Sequence, residues 1–150
     1  MRTSYTLYPP YTFIVVARLM AEHNTRRILN STTQNRVFSM RRDGSATGVW
    51  LGTALVASAN LPLVHNANAH VGVVQVGSSS SENAVWVNGS PVPVNNVTPV
   101  TWGTLSLGAL GAYNEALDGF LMELVVVPRV LSPSEREDLQ LYLKDKWDTP

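Results

Sequence analysis

DGFLMELVVVPRVLSPSEREDLQLYLKDKW, residues Asp118 to Trp147, contains two different periods in succession. Its first part, through Pro128, is rich in β-branched and aromatic types, enters through Asp-Gly and leaves at a proline, which is the composition of a strand. Its second part opens with Leu131 and then Ser132-Pro133-Ser134-Glu135. That order predicts an N-cap serine, a proline at the first helical position and a glutamate reaching back to the cap, a capping box. Leu139, Tyr142, Leu143 and Trp147 follow at helical spacing and predict one apolar stripe. Glu135, Glu137 and Asp138 lie early and Lys144 and Lys146 late, which matches the helix dipole.

Upstream there is no second helix signal. Tyr11–Leu19 (YTFIVVARL) follows Pro9-Pro10 as a strand, and similar short runs recur at Arg26–Asn30, Asn35–Arg42, Ala46–Gly52, Ala69–Gly77, Asn83–Asn88 and Thr104–Leu110. Arg42-Asp43-Gly44-Ser45, the serine run Ser78–Ser81 and Asn88-Gly89 separate some of them. Many short strands at near-regular spacing predict an antiparallel sandwich or barrel. Asn88-Gly89, between Val85-Trp86-Val87 and Pro91-Val92, is the strongest hairpin signal, because a type I′ turn needs positive φ at both central residues. The serine run reads as a flexible hairpin tip. Trp50, Trp86 and Trp147 read as core residues from their strand or stripe positions.

Composition bounds the rest. The 150 residues are 45% hydrophobic and 15% charged, with zero formal net charge and no cysteine. One domain of this size buries a full core, and neither disorder nor unspecific nucleic-acid binding fits so few charges. Disulfides, thiolate metal sites and cysteine nucleophiles are excluded, and their lack favours a reducing compartment. Met1-Arg2-Thr3-Ser4-Tyr5 runs directly into strand-like sequence, so no Sec signal is expected. Up to residue 50, seven arginines face only Glu22 and Asp43, a bias that would favour head-to-tail packing of copies if the folded chain keeps it.

Chemistry is sparse. Glycoside hydrolysis needs a close pair of carboxyl groups. Of Glu22, Asp43, Glu82, Glu115, Asp118 and Glu123, none form an alternating set on one strand, and Asp118 and Glu123 fall on opposite faces of a regular strand. His23, His65 and His70 lack metal-ligand spacing, and His70 reads as structural. No cofactor and no metal is expected. Trp102, in a Pro/Gly-punctuated loop, and Tyr113-Asn114, after Gly111-Ala112, are the candidate ligand residues, an aromatic face and an amide being what a sugar's C–H surface and hydroxyls require; as caps on the ends of the sandwich core, the reading favoured for both rings, they would be structural instead.

In this order the pieces resemble the concanavalin A-like lectin/glucanase superfamily, in its laminin-G-like jelly-roll branch. The likeness is carried by His70–Gln75 followed by Val85-Trp86-Val87-Asn88-Gly89, by Leu105-Ser106-Leu107-Gly108, and by Asp118 to Trp147 with its Leu-Ser-Pro-x-Glu-Arg and terminal Tyr-Leu-x-x-Lys-Trp. The resemblance implies an all-β jelly-roll sandwich with one C-terminal helix, a single domain over residues 1–150. Only ten residues precede Tyr11, so the sandwich is expected to be N-terminally short, leaving a sheet edge for a partner. Together with the lack of cysteine and of a Sec signal and the short N-terminal side of the sandwich, the resemblance leads to the expectation of a non-enzymatic structural or adhesive virion protein, a bacteriophage capsid-decoration or tail-associated protein assembled in the host cytoplasm. Its partners would be other virion proteins, copies of itself and surface glycans, with no nucleic acid or membrane. The alternative is a free carbohydrate-binding module.

Overall fold

The computed structural model describes residues 6–19, 27–31, 37–43, 46–51, 54–59, 68–94, 99, 101, 105–107, 117 and 119–149. Strands β1 (Tyr11–Leu19), β2 (Arg27–Ser31), β3 (Val37–Asp43), β4 (Ala46–Leu51) and β5 (Ala54–Ala59) come first. They are followed by β6 (His70–Val76), β7 (Ala84–Val87), β8 (Ser90–Val92), β9 (Leu105–Leu107) and β10 (Gly119–Val127), and the helix α1 (Pro133–Trp147) ends the order. All pairings are antiparallel. One five-stranded sheet runs β10-β1-β6-β7-β8 and the other runs β5-β4-β3-β2-β9. The sequence expectation of an all-β sandwich with a C-terminal helix therefore holds, with β5 (ALVASA) an additional strand that the sequence reading did not include.

The centre of the first sheet is buried on both faces, and β1 shows how. Tyr11, Phe13, Val15 and Ala17 enter one core cluster with Ile28 and Leu29 of the opposite sheet. Ile14 and Val16, one residue out of phase, enter a second cluster with Val71, Val73, Leu131 and Leu143, so the helix covers the outer face. A strand buried on both sides reads as a continuous apolar run rather than as an alternation. Burying these side chains stabilises the fold by about 1.5–3 kcal/mol each relative to exposure.

β10 contains a bulge. Val16 pairs with Glu123 and Ala17 with Leu121, leaving Met122 as the extra residue. Leu121 and Leu124 pack into the inter-sheet core, whereas Met122, Val125 and Val127 pack under the helix. Among the described strands β10 pairs only with β1, and its Phe120 is 57% exposed.

The helix begins as the sequence predicts. Ser132 is the N-cap, its hydroxyl accepts from the Glu135 amide at 3.3 Å, and Glu135 Oε2 accepts from the Ser132 amide at 2.9 Å. Arg129 adds a two-pronged ion pair to the same carboxylate, at 2.9 and 2.7 Å. The Arg129 guanidinium first, then the Ser132 bonds, hold the Glu135 carboxyl down to about 2. In the native state that carboxyl binds a proton less readily than in the unfolded chain, so the stability it gives is complete above the unfolded value and lost as pH falls toward 2. Urea melts between pH 5 and 2 are therefore expected to show falling stability, with a smaller fall in Glu135→Gln. Equal pH slopes in the two proteins would contradict the assignment; the effect is modest because the pair is solvent-screened.

The apolar stripe differs from expectation at one position. Leu143 is buried and Leu139 and Trp147 pack beside it, but Tyr142 is 56% exposed. At about 100° per residue, Tyr142 lies a quarter-turn off the line through Leu139, Leu143 and Trp147. Gln140 occupies the buried position instead. The serine run also differs from a flexible tip. Ser80–Glu82 is a 3₁₀ turn, and Glu82 Oε2 accepts from the Ser78 and Ser79 amides at 2.7 and 3.1 Å. A Cβ on Gly77 would collide with the Glu82 side chain, so this compact turn depends on glycine there.

Candidate functional site

The turn predicted at Asn88-Gly89 forms with φ of 51° and 84°, the positive pair that type I′ geometry requires. Glycine adopts this at no steric cost, and asparagine tolerates it better than other residues. The Asn88 side chain also joins the turn to β6. Its Oδ1 accepts from the Val71 amide at 2.9 Å, its Nδ2 donates to His70 Nδ1 at 2.9 Å, and its own amide donates to the Val71 carbonyl at 2.8 Å. With Nδ1 accepting, His70 carries its proton on Nε2. His70 is 2% exposed, so this bond joins the turn to a buried residue of β6.

This fixed turn faces one flank of α1. Between them lies a depression of about 240 Å³, walled by Asn88 and Gly89 on one side and by Arg136, Glu137, Gln140, Leu141 and Lys144 on the other. The Arg136 guanidinium lies 4.1 Å over the Trp86 ring and pairs with Glu137 Oε1 at 3.1 Å, so stacking and an ion pair both orient it. Trp86, on the outer face of β7, is thus half-buried beneath the helix, in line with its reading as a core residue. Gln140 donates from Nε2 to the Arg136 carbonyl at 3.3 Å, and its Oε1 is buried without a protein donor. Lys144 has no carboxylate partner among the described residues. The lining offers two cations, one carboxylate, an amide and the exposed Leu141 side chain, a set suited to holding a polar ligand by hydrogen bonds.

Trp102, Tyr113 and Asn114 lie outside the described residues, as do Glu22, Glu115, Asp118, His23 and His65. Trp50 pairs with Ser39 across β3 and β4, and its side chain also lies outside them. Glu123, one of the carboxylates weighed from sequence, is engaged in holding the fold. Its Oε2 accepts from Lys146 Nζ at 2.9 Å and from Trp147 Nε1 at 2.7 Å, tying the end of α1 to β10. The Lys146 and Trp147 bonds hold its carboxyl below the usual range. Glu82 closes its own loop through the Ser78 and Ser79 amides. Among the described residues no group of three or more His, Cys, Asp or Glu is placed to hold a metal ion.

The α1 flank was missed from sequence, where Lys144 read only as a dipole-matching charge. Gln140, however, lies three residues before Leu143 and could have been assigned to the buried face by spacing.

No family model matches the chain, and no curated protein matches it. Solved structures do. Domain 4 of AbnA, a GH43 extracellular arabinanase from Geobacillus stearothermophilus in complex with arabinotriose, is 15% identical with a TM-score of 0.69, over 89% of this chain and 68% of that one. A heptameric SAP-like pentraxin from Limulus polyphemus is 20% identical with a TM-score of 0.67, over 87% and 70%. Trypanosoma rangeli sialidase in complex with sialic acid is 14% identical with a TM-score of 0.67, over 90% of this chain. The chain covers only 23% of that sialidase's length. At these identities the likeness is one of fold, and that fold is the jelly-roll β-sandwich.

Proposed function

We propose that this protein is a non-catalytic, lectin-like module whose ligand is a glycan. The observation that carries the reading is the depression between the Asn88-Gly89 turn and α1, which is lined by hydrogen-bonding groups and one exposed aliphatic side chain. It has no serine, cysteine or histidine on its walls and a single carboxylate, Glu137, where glycoside hydrolysis requires two carboxyl groups. The arabinotriose bound to the arabinanase domain is consistent with a sugar ligand on this kind of sandwich. Trp102, Tyr113 and Asn114 remain the candidates for a second contact surface. A glycan array probed with the purified chain is expected to show selective retention, with no sugar released from any bound glycan. Retention on no glycan would overturn the reading, and turnover would replace it with a hydrolase.

A second reading places the module on a virus particle, as a bacteriophage capsid-decoration or tail-associated protein that contacts other virion proteins and copies of itself. The feature favouring it is β10, an edge strand among the described ones with Phe120 57% exposed, because strand edges and exposed apolar side chains suit packing against neighbours. Electron microscopy of particles labelled against this chain is expected to show the label on the particle surface. Its confinement to free protein would remove this reading and leave glycan binding standing.

A further inference from the structure

The chemistry of the α1 depression narrows the glycan further. Lys144 supplies a positive charge that no described carboxylate neutralises. Arg136 supplies a second, held in place by its stacking on Trp86 and shared with Glu137 at 3.1 Å. Two cations against one carboxylate give the site a net demand for an anion. Gln140, 4% exposed, lines the site with its Oε1 shielded from solvent, so the charges of Lys144 and Arg136 are what the site presents to a ligand. A neutral sugar leaves that demand for an anion unanswered.

The walls add shape. Gly89 leaves the turn side open, with nothing within 4 Å of where a Cβ would stand. Leu141, 65% exposed, offers an aliphatic surface to C–H groups. The volume of about 240 Å³ lies below the range of pockets that enclose drug-sized ligands, about 300–1,000 Å³, so it suits one ring with its neighbours in solvent.

Resting on the glycan reading, we infer that the depression binds a carboxylate-bearing sugar unit of a polysaccharide. The carboxylate pairs with Lys144 and Arg136, and a C–H face lies on Leu141. Recognition of the acid is by charge-assisted hydrogen bonds, the stronger class.

Isothermal titration of the whole chain with trigalacturonic acid and with its neutral methyl ester tests this. The acid is expected to bind about tenfold more tightly than the ester, with affinity falling as salt rises. Lys144→Gln is expected to abolish that preference while leaving the far-ultraviolet circular dichroism unchanged. Leu141→Ala, at an exposed position that cannot unfold the core, is expected to weaken acid and ester alike. Equal affinity for acid and ester, or an unchanged preference in Lys144→Gln, would overturn the acidic-sugar inference and leave the glycan reading intact. Binding of neither compound, with neutral glycans retained on the array through Trp102, Tyr113 or Asn114, would overturn it in the same way. If no glycan of any kind is retained, both fail together.

Discussion

Leu143→Ala is expected to destabilise the protein by about 3 kcal/mol, at the middle of the range for large-to-small changes in a core. Leu143 is 0% exposed and sits where α1 meets Ile14, Val16, Val71 and Val73 of the first sheet. Its neighbours on the helix, Leu139 and Trp147, are only partly buried, so Leu143 is the apolar side chain of α1 that is fully buried against the sheet. Chemical denaturation followed by tryptophan fluorescence measures the loss. Hydrogen exchange localises it, since the amides of Pro133–Trp147 should lose protection before those of β1 and β6. A loss below about 1 kcal/mol would mean that the helix contributes little to holding the sheet, contrary to its burial.

The second large effect is expected at Asn88. Asn88→Ala puts a Cβ-bearing residue without a stabilising side-chain bond at a φ of 51°, removes the acceptor for the Val71 amide and removes the donor to buried His70. Strain at such a position costs about 1 kcal/mol and each buried group left unpaired about 1–3 kcal/mol. A loss of at least about 3 kcal/mol follows. Asn88→Gly separates the two causes, because glycine accepts the backbone angle and still lacks the amide. It is expected to recover about 1 kcal/mol relative to Asn88→Ala. If the two substitutions are equally stable, backbone conformation is not what selects asparagine there. In either variant one wall of the α1 depression shifts, so acidic-glycan affinity should fall along with stability.

The strand pattern was legible wherever β-branched and aromatic residues cluster. β1 was read to the residue, the capping box down to its hydrogen bonds and the Asn-Gly turn to its pair of positive φ angles, because all three depend on neighbours within a few positions; the Asn88 bonds to His70 and Val71, 18 and 17 residues away, were not. β5 was not legible. ALVASA is mostly alanine and serine, which carry little strand preference of their own, and its place is set by pairing with β4. Tyr142 was misassigned because a single aromatic at helical spacing looks apolar-facing, whereas the helix rotates about the Leu139–Leu143–Trp147 line. The α1 depression is a long-range object. Lys144 and Gln140 acquire their meaning only when the sandwich sets one flank of α1 beside a turn more than 45 residues away in sequence. No local pattern encodes that juxtaposition.

The bulge at Met122 bears on how this strand can change length. The ladder is in phase on both sides of it: Glu123 stands opposite Val16, and Leu121 stands opposite the next residue, Ala17. Excising Met122 would therefore leave a regular strand in which every remaining residue keeps its partner and its face. An excision elsewhere in β10 would turn one end of the strand inside out, exposing Leu121 or Leu124. β10 thus contains one site where a residue can be gained or lost without rewriting the core, and variation in strand length among descendants of this chain should collect there. Met122's own packing beneath the helix is what such a change would forfeit.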